Sequence, residues 1–132
     1  MSMPITAPHL SKKGKILKGY AAFNEGDWET LKRLLSANVV WHKMVPPGGK
    51  VEGRQKVIDH LTELRLTNQA EFLGVVIQDN AAVTVDFTTS TDDHGNHGCA
   101  DWIEFDAEGL ICEVWHCATD TKHRPEQHTA KG

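Results

Sequence analysis

Asp101 is the residue of this chain best placed to do chemistry. It lies in the run His97-Gly98-Cys99-Ala100-Asp101-Trp102-Ile103-Glu104-Phe105-Asp106-Ala107-Glu108-Gly109-Leu110-Ile111, which reads as the arm and turn of a β-hairpin. Side chains alternate faces along a strand, so Cys99, Asp101, Ile103 and Phe105 share one face, and three of the four are apolar. A carboxyl held among apolar neighbours can stay protonated, donate a hydrogen bond or shuttle a proton. The competing reading is that the sheet curves there and Asp101 meets water or a backbone donor.

His42 and Lys43 end a short apolar run, Val39-Val40-Trp41, and face opposite ways if the strand is regular. Each reads either as a group that polarises a ligand or as a solvated strand end. Asp92-Asp93-His94-Gly95-Asn96-His97 gathers two carboxylates and two imidazoles. The same residue types suit a wide β-turn, because they tolerate positive φ and make local hydrogen bonds. Nothing else completes a ligand set, so no metal site is expected. There is no phosphate-binding loop and no nucleophile elbow. Cys99, Cys112 and Cys117 are odd in number and lack metal or redox spacing, which favours reduced thiols packed as small hydrophobes.

The elements that must position these residues follow from periodicity. A first helix over 8–24 carries Leu10, Leu17, Tyr20, Ala21 and Phe23 as a rough apolar stripe. Glu25-Gly26 ends it, and Asp27 can cap a second helix over 28–36 with Leu31, Leu34 and Leu35 inward. A short strand over 39–42 precedes the loop Val45-Pro46-Pro47-Gly48-Gly49. Gly53 introduces a third helix over 54–66, with Val57, Ile58, Leu61 and Leu64 at helical spacing. Strands then follow near 71–78, 81–91, 97–106 and 110–119. Residues 1–119 form one domain and 120–132 a polar, flexible tail. Helices followed by antiparallel strands predict an α+β fold.

The 132-residue length suits one domain with a real core, without staples. A net charge of −4, with no Lys or Arg run longer than two, argues against a nucleic-acid groove. No apolar run approaches the roughly 20 residues of a membrane span, and the first residues hold no export signal. A cytoplasmic domain is the expectation.

The order of elements and the residues at their joints resemble the nuclear-transport-factor-2-like superfamily, in its SnoaL-like and ketosteroid-isomerase-like branch. The resemblance runs from Leu17 to Thr119. It rests on Tyr20-Ala-Ala-Phe-Asn-Glu-Gly-Asp27, Leu34-Leu35-Ser-Ala-Asn-Val-Val-Trp41, Val51-Glu-Gly-Arg54 and Ile103-Glu-Phe-Asp-Ala-Glu-Gly-Leu-Ile111. It implies a cystatin-like α+β barrel, in which a curved antiparallel sheet wraps the N-terminal helices into a cone-shaped pocket. That fold hosts isomerases, cyclases, dehydratases and epoxide hydrolases, usually with no cofactor, and also binding and assembly domains without chemistry.

Carried over by position, Asp101 falls where ketosteroid isomerases keep the protonated Asp of their oxyanion hole. SnoaL-like cyclases have an acid/base Asp near the same level. The same count turns Val114, His116 and Ala118 toward the pocket, which makes His116 the acid/base partner of Asp101. His42 matches a His that many SnoaL-like sequences carry after a Val-Val pair, and is expected to orient a substrate carbonyl or water. Lys43 is a cation for a carboxylate or enolate, Trp41 and Phe87 are pocket wall or core, and Cys99 shares the face of Asp101.

Two positions depart from the isomerase pattern. Its general base falls at Lys43, and its helix-borne Tyr at Gly19. That leaves Tyr20 one residue, or about 100° of helix, out of register. The resemblance therefore implies a small-molecule acid/base enzyme acting on an apolar, oxygenated ligand. The alternative is a non-catalytic ligand-binding or dimeric assembly domain of the same fold. Trp102, Trp115, Ile111 and Cys117 are expected on the outer sheet face, where a homodimer would bury them.

Overall fold

The computed structural model describes residues 10–44, 48–91 and 95–118. Pro8, His9, Val45 to Pro47, Asp92 to His94 and the tail from 119 lie outside the described residues, and with them half of the Asp92–His97 cluster. The elements are α1 (Lys12–Glu25), α2 (Trp28–Leu34), β1 (Leu35–Lys43), β2 (Lys50–Glu52), α3 (Arg54–Arg65), β3 (Asn68–Gln78), β4 (Ala81–Ser90), β5 (His97–Phe105) and β6 (Ile111–Ala118). The α+β class expected from the sequence is the one observed. Three-residue β2, too short to show a period, went unseen, and β1 starts four residues earlier than its apolar run.

The helix ends have local causes. Ser11 caps α1 by accepting from the Gly14 amide, and Gly26 closes it at φ 72°, a left-handed conformation that a residue without Cβ takes at little cost. The Asp27 carboxylate then accepts from Thr30 N to start α2. The α1 stripe is rotated from the expected one. Leu17 and Ala21 face outward, while Ile16, Tyr20 and Phe23 pack inward at i, i+4 and i+7. Lys15 is buried because its Nζ donates to Gly109 O at 2.5 Å, near the Phe105 ring.

The six strands form one open sheet in the order β2-β1-β6-β5-β4-β3. It does not close into a barrel, and its β1/β6 pair is parallel whereas the other pairs are antiparallel. The helices lie against the concave face, where Ile16, Leu31, Leu34, Val57, Ile58 and Phe105 belong to the core.

The registers order that inner face into rows. One row reads Trp41, Val114, Ile103, Ala82 from β1 to β4. The next reads Lys43, His116, Asp101, Thr84. The third reads Ala118, Cys99, Asp86, Phe72 across β6, β5, β4 and β3. A bulge at Cys112, where Glu104 pairs with Glu113 but Phe105 with Ile111, flips the strand's parity. Ile111 therefore joins the core and not the outer face on which simple alternation placed it.

Candidate active site

Between sheet and helices lies a cavity of about 780 Å³. Its lining includes Ile16, Leu31, Leu35, Ile103 and Ile111, and also Tyr20, Asp86, Asp101 and His116. The polar groups come from the middle rows of the sheet, with Tyr20 reaching them from α1. The apolar part of the wall lowers the local dielectric and strengthens whatever electrostatics these groups exert.

His116 and Asp101 are directly opposite on neighbouring strands, with Nδ1 2.5 Å from Oδ1. Burial alone would lower the imidazole pKa. The hydrogen bond and charge of Asp101, together with the Cys99 sulfur, outweigh it and raise the pKa to about 11. At neutral pH the ring is therefore an imidazolium, and its Nε2 also carries a proton. Asp101 is 7% exposed and the His116 side chain 25%, so the pair is partly buried, with the imidazole facing the cavity.

Asp86, not singled out by the sequence, is the second carboxyl of the site and is 3% exposed. The Tyr20 hydroxyl donates to its Oδ2 at 2.5 Å, lies 3.3 Å from Asp101 Oδ2, and shares a third bond with Thr84 Oγ1 at 3.0 Å. Tyr20 thus faces the carboxyls despite falling one residue out of register, and its ring packs on Phe72 at 5.4 Å. Burial and the facing charge of Asp101 raise the Asp86 pKa to about 6, against lowering by Tyr20, His116 and Cys99. Burial and the two carboxylates push the Tyr20 phenol far up, so it stays a donor.

The remaining sequence candidates divide by strand parity. Trp41, Lys43 and Val114 line the cavity, and the Trp41 ring lies 5.8 Å from His116 and 6.2 Å from His60. Cys99 is on the inner face but 2% exposed and absent from the lining, with Sγ 3.4 Å from Thr88 Oγ1. His42 and Phe87 alternate with lining residues on their strands and so face away from the cavity; Phe87 is nonetheless buried, at 7% exposed, and is core and not pocket wall. On the outer face His42 Nε2 meets Glu113 Oε2 at 2.7 Å and stacks on Trp115 at 4.8 Å. His60 on α3 also lines the cavity. Burial, then the charges of Lys43 and His116, keep its pKa below the ordinary imidazole value. Among the described residues no cluster of His, Cys, Asp and Glu has the grouping of a metal site. No helix among them is long and apolar enough to cross a membrane.

The family described as SnoaL-like domain matches residues 16–114. No curated protein matches the chain. Among solved structures it is similar to Bal32a from a soil-derived mobile gene cassette, at 24% identity and a TM-score of 0.76, covering 83% of this chain and 89% of that one. A Kribbella flavida DSM 17836 protein, provisionally titled a ketosteroid isomerase, shares 17% identity over 86% of this chain and 82% of its own, with a TM-score of 0.70. A protein from Agrobacterium tumefaciens str. C58, provisionally titled an isomerase of the SnoaL-like family, shares 17% identity over 80% and 94%, with a TM-score of 0.66. At these identities the likeness is one of fold.

Proposed function

The chain belongs to the SnoaL-like domain family, and from that premise we propose that it is a cofactor-independent acid/base enzyme acting on a small, apolar, oxygenated molecule. One observation carries this reading. Asp86, a carboxyl whose pKa burial and the charge of Asp101 raise, and the His116 imidazole held by Asp101 sit in the wall of the same largely apolar cavity.

Above pH 6 Asp86 is a carboxylate and serves as general base toward a carbon acid, a hydroxyl or a water. His116 donates from Nε2 to the oxygen where negative charge develops, and Asp101 fixes its ring and charge. Tyr20 orients Asp86 and withdraws part of its basicity. Isomerisation, cyclisation, dehydration and epoxide or carbonyl hydrolysis all use this pair. No step in them needs a metal or redox group.

The outer sheet face supplies the assembly part of the reading. Val76, Val85 and Trp102 are 70%, 39% and 46% exposed there. A two-fold dimer through this face would bury them.

The experiment is hydrogen–deuterium exchange of an enolisable ketone, 2-tetralone, in D2O, followed by proton NMR. Exchange above the buffer rate, rising through pH 6 and abolished in Asp86→Asn, supports the reading. Binding of the ketone with no acceleration at any pH would favour a non-catalytic ligand-binding domain.

A further inference from the structure

Lys43 is the cation of the cavity that the acid/base machinery does not use. It ends β1 on the inner face, directly beside His116 in register, and lines the cavity. The other cations there are occupied: Lys15 Nζ donates to Gly109 O, and His116 is paired with Asp101. The Lys43 ammonium makes no hydrogen bond or ion pair with any described residue.

Its surroundings offer donors and few acceptors. His60 stands close enough for the Lys43 charge to depress its pKa, so that ring is neutral. The indole Nε1 of Trp41 is a buried donor with no acceptor. Asp86, bonded by Tyr20 but without an ion-pair partner among the described residues, lies three strands away on β4, about 14 Å along the sheet at ~4.8 Å per strand. It is too distant to neutralise Lys43 at close range. The cavity is therefore polarised, with a cation unpaired among the described residues at the β1 wall and the base at the β4 wall.

We infer that Lys43 and His60 form a carboxylate subsite, so that the ligand is an apolar acid whose anionic group is anchored at the β1 wall while its reacting carbon or oxygen lies at Asp86. The inference rests on the small-ligand reading above and adds the charge and polarity of the ligand. A carboxylate at the ammonium gains a charge-assisted hydrogen bond in a site of low dielectric. A neutral isostere gains none. The separation of the two walls sets the size of the apolar body between them, matching two fused or linked six-membered rings and not a short-chain acid.

The test uses biphenyl-4-carboxylate and its neutral isostere biphenyl-4-carboxamide, titrated by calorimetry at pH 7.5 into wild type, Lys43→Met and Lys43→Arg. Wild type is expected to bind the carboxylate at least ~10-fold more tightly than the amide. Lys43→Met should erase that preference with the amide affinity unchanged, which also shows the fold intact, and Lys43→Arg should retain it. Equal binding of both probes by wild type overturns the carboxylate subsite and leaves the cavity reading standing. A preference that survives in Lys43→Met overturns it too, since the anion is then held elsewhere. If neither probe binds wild type, the small-ligand reading fails and the subsite falls with it.

Discussion

The Tyr20 hydroxyl donates to Asp86 Oδ2 across 2.5 Å, joining the middle of α1 to the fourth strand in the wall of the cavity. Tyr20→Phe deletes that donor and leaves a buried carboxyl short of a partner. Stability should fall by about 1–3 kcal/mol in urea melts. Because the bond favours the carboxylate, its loss should also move Asp86 titration above 6, read by carbon-detected NMR. An unmoved titration would mean that the hydroxyl does not govern Asp86.

Asp86 itself makes stability fall with rising pH. Its pKa is raised from 3.8 to about 6 in the folded chain, so between those values the folded state holds a proton that the unfolded state has lost. The Asp86 contribution is greatest below this window and declines through it, by on the order of 3 kcal/mol. Asp86→Asn should remove that decline and be the more stable protein at pH 7. Parallel urea midpoints for the two proteins from pH 4 to 7 would show that Asp86 is not elevated.

The His116–Asp101 pair has the opposite linkage. His116 rises from 6.5 to about 11 on folding, so its contribution is complete below 6.5 and is lost as pH climbs through 11. Asp101→Asn takes away the charge while keeping the shape. The imidazole, still buried, should then titrate below 7, measured from its ring carbon shifts. A titration that stays above 9 would assign the elevation to something other than Asp101.

Gly109 is expected to tolerate no side chain. Its φ is 83°, and an added Cβ would meet Lys15 Nζ at 2.6 Å, where that ammonium donates to the Gly109 carbonyl. Gly109→Ala should cost about 1–3 kcal/mol, from backbone strain plus the broken bond. The readout is the guanidinium midpoint, and a change within 0.5 kcal/mol, about the size of an ordinary surface substitution, would show the turn to be adaptable.

The outer sheet face makes its prediction through Trp102, which pairs in register with Val83 and Trp115. The wild-type chain should sediment as a dimer at tens of micromolar, and Trp102→Lys as a folded monomer. A wild-type monomer would sink the dimer reading.

Where the chain shows its structure most openly is the β5/β6 hairpin. The short turn at Asp106–Gly109 announces the hairpin, but counting from the Phe105–Ile111 pair would set Asp101 opposite Trp115; the bulge at Cys112 brings it opposite His116, a placement that only the family resemblance implied. Asp86 was hidden by an inverted alternation. In β4 the residues Val83, Val85 and Phe87 look like the buried face, yet Thr84, Asp86 and Thr88 are the ones turned toward the cavity, and of the first three only Phe87 is buried. Polar residues can occupy an inner face only when partners from elsewhere satisfy them, here Tyr20 and Cys99, and such partners are tertiary facts. The burial of Lys15 was illegible for the same reason, since nothing local announces that a carbonyl 94 residues away will receive its ammonium. The flipped face of Ile111 came from a bulge, and a bulge leaves no mark in residue type.

The ties that hold α1 have a further consequence. Lys15 bonds the carbonyl of Gly109, and Asn24 exchanges two bonds with the main chain of Ala70, so both ends of the helix are fastened to backbone and not to sheet side chains. Tyr20 lies midway between these two anchors. Inward side chains of the sheet other than Thr84, Asp86 and Asp101, which meet the phenol itself, can therefore change in identity without undoing the ties at either end of the helix. Such a scaffold lets substrate preference drift by substitution on one wall while the opposite wall stays put, and it suits the domain to laboratory redesign of the cavity.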